Sequence, residues 1–414
     1  MILSLIEQHA SDAAFLWFRR EGAVRAPHHA LPTIADIDDR VEAHLDGLRV
    51  AGATGTSVAQ AALAEDDAGV VFVAAVLALE SGDLRSLARL LDRAAAAPAS
   101  FRELTAALGW VPWETVAPLL PGFFDPGCPP VLHRVGLAAC AAHGRDPGSI
   151  LEQSLYSTDV ALLARALRSA GELYRSPLAR AVTPALGAAD EACRFWATWT
   201  SALFGDPRAV DALWPFAAAG GPFAARALAL AMRLLDPRAA MGWLEALQGR
   251  PESLRIACLG ATALAEVSAV HWLLGAARLP TLARLAAEGI SAITGLTIKG
   301  PLAGKAPDGF VAGPTDNSAD EVVALDPDEH LPWPALGALE ARCREVMVSM
   351  PRGIRHVGGK PITPAQLQLV LRQSTQPRRA AAALGLLLHS KAGPLFEVRA
   401  PAARQRAALR GALI

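Results

Sequence analysis

Apolar residues recur along this chain at three- and four-residue steps, the period of a helix with one buried face. From Ile256 they continue at Leu259, Gly260, Ala263 and Leu264, and from Leu228 at Ala231, Met232 and Leu235. Similar text predicts helices over residues 3–20 and 37–50 near the start, and over 334–350, 364–373 and 378–389 near the end. Of the 414 residues 52% are hydrophobic but only 6% aromatic, with Ala and Leu dominating, the residues that lose least on entering a helix. An all-α fold is expected. The longest uninterrupted apolar run, 70–79, is ten residues, about half of the roughly 20 that a bilayer span demands, so no membrane span is expected.

The helical text repeats. Pro147, Pro177, Pro207 and Pro237 are spaced by 30, 30 and 30, and are preceded by Asp146, Ser176, Asp206 and Asp236. A capping side chain followed by proline at the first helical position is a helix-start signal. Out of phase with it run Arg134, Arg165, Arg194, Arg226, Arg255 and Arg284, spaced by 31, 29, 32, 29 and 29, each near the opening of an apolar stretch. Each unit of about 30 residues therefore holds two helices. Such a hairpin cannot bury its apolar face alone, so neighbours must stack. The tetratricopeptide and ankyrin signatures are missing, whereas the Asp-Pro turns and helix-start arginines resemble the short HEAT-like repeat. That resemblance implies a right-handed α-solenoid of helical hairpins, with the six arginines in a structural ladder between repeats.

Gly82-Asp83-Leu84 and Trp110-Val111-Pro112 mark two degenerate upstream units. The expected organisation is an N-terminal helical cap over 1–56, the repeats over 57–296, a Gly/Pro/acidic linker or arm over 297–332, and a basic helical region over 333–414. Residues 333–414 hold 13 Arg or Lys against three acids, and the preceding 332 residues hold 26 against 37. Either the basic tail packs on the acidic body, or the body receives a basic partner such as a nucleic-acid-acting toxin. Five cysteines at long intervals suit a reduced, cytoplasmic setting as small buried hydrophobes, and the first residues do not read as a signal peptide.

No catalytic constellation, cofactor motif or metal site emerges. Gly300-Pro-Leu-Ala-Gly304-Lys305 has one residue too few for a phosphate loop and Ala306 where Ser or Thr is needed. His28, His29, His133 and His143 lack metal-ligand spacing, and Asp326, Asp328 and Glu329 lack a glycine-centred calcium loop. They read as capping histidines and a solvated acidic linker. Trp196 and Trp199 lie three apart on a second helix, near Arg168 and Glu172 of the preceding unit. They read as core tryptophans or, if exposed, as a partner anchor.

The ends carry more specific text. Phe15-Leu-Trp-Phe-Arg-Arg-Glu-Gly-Ala-Val-Arg-Ala-Pro27-His28, Asp38-Asp-Arg-Val-Glu-Ala-His-Leu-Asp-Gly-Leu48, Ala324-Leu-Asp-Pro-Asp-Glu329, Leu331-Pro-Trp-Pro334 and Pro394-Leu-Phe-Glu-Val-Arg-Ala-Pro401 resemble a bacterial family of HEAT-repeat proteins, often encoded beside type VI secretion spike and effector genes. The resemblance implies a cytoplasmic, non-enzymatic accessory whose partner is a secreted effector or spike component, acting as an immunity protein or a loading adaptor. The competing expectations are a HEAT-like repeat enzyme of lyase or DNA glycosylase type, and a general scaffold. Direct nucleic-acid binding would need a basic groove that the acidic body does not offer.

Overall fold

The ten-residue apolar run folds as the buried centre of a helix. Ala68–Ser81 begins where the Asp67 carboxylate accepts the Gly69 N–H at 2.6 Å, and it stops at Gly82, whose left-handed φ of 67° favours a residue without Cβ. Every residue from Gly69 to Leu79 is buried. Gly69 is obligatory: a Cβ there would stand 2.3 Å from the Ala14 carbonyl oxygen.

The computed structural model describes residues 2–65, 67–314 and 324–411. Most of the chain is helical, with a single two-residue strand pair among the described residues. It divides into two compact units, Met1–Phe204 with Leu371–Ile414, and Gly205–Val370. Residues 315–323, which include Asp316, Asp320 and Glu321 of the expected acidic linker, lie outside the described residues.

In the first unit Leu3–Ala23 packs on Leu31–Val50 and on Ala68–Ser81. Pro98–Trp110, Pro130–Ala142, Val160–Glu172 and Glu191–Leu203 then each pack on the previous member of the row. Further helices alternate with them, including Ala53–Ala62, Leu84–Ala96 and Ser149–Ser154. Two hydroxyls join neighbours in the row: Thr200 Oγ1 donates to the Leu167 carbonyl at 2.8 Å and Ser169 Oγ to the Leu137 carbonyl at 3.4 Å. The second unit repeats the scheme with Ala224–Leu234, Leu254–Leu264 and Pro280–Thr294. There Gly260 lets Leu228 approach, and Gly289 lets Thr262 approach.

The proline junctions divide by geometry. Asp206 and Asp236 cap Pro207–Asp211 and Pro237–Gln248 through the N–H groups of Arg208 and Arg238, with proline in the first turn, as the sequence indicates. Asp146 instead accepts the Gly148 N–H, and the helix starts later, at Ser149. The 3₁₀ turn Ser176–Leu178 has no side-chain cap. All six arginines of the second series fall on the second helix of a hairpin. Upstream, Asp83 caps Leu84–Ala96, and Pro98–Trp110 ends at Val111, so both degenerate boundaries are hairpin boundaries.

A helix C-terminus leaves four carbonyls without partners, and in both units later parts of the chain return to fill them. In the second unit Arg355 donates to the carbonyls of Met232 and Leu235, at 3.1 and 2.5 Å. The His356 N–H meets Ala265, and the N–H groups of Gly358 and Gly359 meet Ala292 and Ile293. Those glycines form the turn between the strands His356–Val357 and Lys360–Pro361, both at positive φ, and a Cβ on Gly359 would stand 2.6 Å from the Thr294 oxygen. In the first unit the Leu395 N–H meets the Glu172 carbonyl at 2.7 Å, and Arg404 donates to Gly109 and Ala142. Cations suit these ends because the helix dipole is negative there.

The first unit is closed by a clasp. Arg20, 1% exposed, donates Nε to Asp38 at 2.6 Å and its terminal nitrogen to the carbonyls of Arg399 and Ala400. The second Asp38 oxygen accepts the Ala402 N–H at 2.7 Å, and Arg399 pairs with Glu21. Gln376 and Gln405 hold the same segment through the Val398 carbonyl.

Removing one member of a buried ion pair strands its partner, at a cost of about 3–5 kcal/mol. Asp38→Ala is therefore expected to destabilise the first unit by about that amount and to expose the chain around Arg399. Native-state hydrogen exchange at the Ala402 amide and trypsin cleavage at Arg399 read this out. Protection equal to the parent's would show that the clasp does not hold the segment.

Candidate functional site

The four residues singled out as a partner surface do come together. Val160–Glu172 is started by Asp159, whose carboxylate accepts the Leu162 N–H at 2.7 Å. Its 3.6-residue period puts Arg165, Arg168 and Glu172 on one side. Glu172 accepts from Arg168 at 2.6 Å and from Arg165 in a short contact. On the neighbouring helix Trp196 lies under the Arg168 guanidinium, 4.8 Å from Cζ to the ring centroid, and packs edge-on against Trp199.

Burial decides what this cluster offers. Trp196 is 7% exposed and Trp199 3%, so both are core residues and neither anchors a partner in this conformation. Gly171 leaves the space that Trp199 fills. Arg168 is the most exposed of the cluster, with a third of its side chain in solvent, against 17% for Glu172. Burial would raise the Glu172 carboxyl, but Arg165 and Arg168 outweigh it and hold it down at about 2.

The six repeating arginines end in different places. Arg134 lies over the Phe101 ring at 4.3 Å, Arg165 bonds Ser169 and Glu172, and Arg194 donates to the carbonyls of Ala188 and Ala189. Arg226 lies on Ala224–Leu234. Arg255 holds Asp328 through two 2.7 Å bonds. Arg284 reaches the Asp326 carboxylate and the Asp328 carbonyl, with its guanidinium 4.6 Å from the Trp333 ring. The polar links between neighbouring second helices described above pass through Ser169 and Thr200, which sequence spacing did not single out.

Asp326 and Asp328, expected as solvated linker, are thus tied to arginine, and Asp328 is 3% exposed. The reason is charge pairing across a fold that sequence distance conceals. His143 receives an Arg404 contact and bonds the Leu108 carbonyl, and burial lowers it to about 4, so it is neutral. His133 bonds the Asp125 carbonyl, and the His28 ring packs against that of His29 at a tilt of 44°. Gly300–Leu302 is a 3₁₀ turn leading to an isolated bridge between Ala303 and Pro334, with no phosphate-loop helix after it. Among the described residues no group of three or more His, Cys, Asp or Glu is placed to hold a metal ion, and no helix is long and apolar enough to cross a membrane.

A second site was not visible in the sequence. A cavity of about 900 Å³ opens between the ends of Leu31–Val50 and Ala68–Ser81 and the starts of Ala53–Ala62 and Leu84–Ala96. Its walls include Arg49, Thr56, Gln60, Glu80, Asp83 and Arg89. Arg49 is held by Glu42, Asp46 and Glu80 at 2.6–2.8 Å.

Comparison with known proteins finds no matching family model, no similar curated protein and no similar solved structure.

Because the folded Glu172 carboxyl lies below its ordinary 4.5, its stabilisation is full above about that pH and is lost as pH falls through 2. Glu172→Gln is expected to destabilise the first unit by about 3 kcal/mol at pH 7, with the gap to the parent closing between pH 4.5 and 2. Urea midpoints at pH 7 and pH 3 measure it. A gap independent of pH would remove the ion cluster as the cause.

Proposed function

We propose that this chain is a non-catalytic, right-handed α-solenoid of HEAT-like hairpins that holds another protein. Its role would be that of a cytoplasmic type VI secretion accessory acting on a cognate effector or spike component. The observation that carries the reading is the packing, inside each unit, of consecutive second helices in chain order, one hairpin per roughly 30 residues. Stacking of this kind builds surface in proportion to repeat number. A stable complex needs about 1,600 Å² of buried area, which such a surface supplies without any chemistry.

The secretion role rests on the resemblance of the two ends, whose motifs meet physically. Arg20, Glu21 and Asp38 of the opening text bind Arg399, Ala400 and Ala402 at the close. Direct nucleic-acid binding stays outside the proposal. Gly205–Val370 carries 15 basic and 16 acidic residues, and the other unit 24 of each, which gives neither unit a basic excess.

Deleting the gene in its host separates the two forms of the proposal. An immunity protein leaves the deletion strain killed by its own effector and secretion intact; an adaptor leaves the strain protected and effector secretion lost. Affinity purification of the tagged chain is expected to recover the same effector in either case. A deletion with neither defect, together with no effector in the purified material, would refute the assignment.

A further inference from the structure

The first helix of the chain carries two phenylalanines where a polar surface is expected. Leu3–Ala23 opens the row of packed helices in its unit, and the free side of a first member is ordinarily polar. Here Phe15 and Phe18 stand on that side, 57% and 67% exposed and three residues apart on one face. Ile6, Ala10, Ala13 and Trp17 take the opposite face, so the fold packs neither ring into its core. One turn to either side of the pair the surface is small, with Ser11 and Gly22 exposed, which lets a second helix lie close there. A Cβ on Gly22 would meet nothing within 4 Å.

The charges outside the buried face are sorted along the helix. Glu7 and Asp12 lie in its first half, and Arg19 and Arg25 in its second half and just past its end. Glu21, between the two arginines, is held by Arg25 and by Arg399. Arg19 runs back along the helix toward the exposed rings, its Cζ 6.0 Å from the Phe15 centroid.

We infer that two copies of this chain pair through Leu3–Ala23, antiparallel, about a two-fold axis between Phe15 and Phe18. Phe15 of each copy then meets Phe18 of the other, and Ser11 meets Gly22. At a rise of about 1.5 Å per residue, Glu7 comes within about 2 Å of the level of Arg25 of the second copy, on one edge of the contact. Asp12 comes within about 3 Å of the level of Arg19 of the second copy, on the other edge. A parallel pair would instead set Glu7 on Glu7 and Arg25 on Arg25. The face is thus complementary to itself, which is what a two-fold contact requires. One helix face buries less than the about 800 Å² per partner of a standard interface, so the dimer is expected to dissociate in the micromolar range. The inference stands apart from the proposed function, and adds a second copy of the chain to whatever complex that function forms.

Sedimentation velocity on the full chain tests it. A concentration series is expected to run from 43.3 kDa to twice that mass. Phe18→Glu, at an exposed ring buried twice over in the dimer, is expected to weaken dimerisation at least tenfold and keep the parent's melting temperature. Asp12→Arg and Arg19→Asp each set like charges together at two symmetry-related places, and at low ionic strength each is expected to self-associate about tenfold more weakly than the parent. Mixed one to one, the two variants regain unlike charges at both places, and their heterodimer is expected to form as tightly as the parent dimer. A parent that stays monomeric up to about 1 mM, or a Phe18→Glu variant that dimerises like the parent, overturns the proposal. So does a mixture that associates no better than its components. A monomeric parent whose effector capture is lost with Phe18→Glu would give the face to a partner of another kind, sinking the two-fold contact and sparing the proposed function.

Discussion

Each stacked helix ends in carbonyls that its own hydrogen bonds cannot reach, and both units depend on how those ends are closed. Single-helix caps do part of the work, as Gly82 and Gly295 do in the left-handed conformation. The rest is supplied by chain that comes back from far along the sequence: Arg355, His356 and the Gly358-Gly359 turn in one unit, Leu395 and Arg404 in the other. A row of parallel helix ends is a row of partial negative charges, so the returning segments bring arginines and main-chain N–H groups. This ties the position of the last residues to the packing of the first ones. The Arg20 and Asp38 clasp is the tightest case, because two groups on the first two helices are buried by residues 399–402.

The same closure explains the charge pattern. Along the sequence, residues 1–204 hold 16 basic and 23 acidic residues, and 371–414 hold eight and one. Folding puts these stretches in one unit, where the excesses of seven cancel. An acidic body waiting for a basic partner is therefore a property of the linear chain, and within the unit its counter-charge comes from its own tail. Arg399 on Glu21 is one such pair, and in the other unit Arg255 on Asp328 and Arg284 on Asp326 reverse the direction of the pairing. Long-range attraction gives little guide to the partner once the unit is neutral. What survives is local imbalance, as around Arg49.

Helical content and hairpin boundaries were legible because they are local. Asp206-Pro207 and Asp236-Pro237 carry cap and first-turn geometry in two adjacent residues, and the buried run 70–79 announces a core helix by composition. Asp146-Pro147 misled because Gly148, at a φ of 66°, takes the cap position and delays the helix. The turn at Gly358-Gly359 carried a readable hairpin signal, a glycine pair before Lys360-Pro361, that helical periodicity overshadowed. Trp196, Trp199, Arg168 and Glu172 were found as a group by helical spacing, but exposure is a tertiary property, and the tryptophans face inward. The cavity lined by Arg49 and Glu80 was invisible for the same reason, since two separate stretches of chain, 48–60 and 77–89, build it.

This has a consequence for where a partner engages. The text that carries the family resemblance is spent on closure: Arg20, Glu21, Asp38, Asp326, Asp328, Arg399 and Ala400 all bind other parts of their own unit. Residues fixed by that duty are poorly suited to recognise different partners, because a change in any of them strands a buried charge or carbonyl. Specificity is better placed where substitution leaves the fold intact.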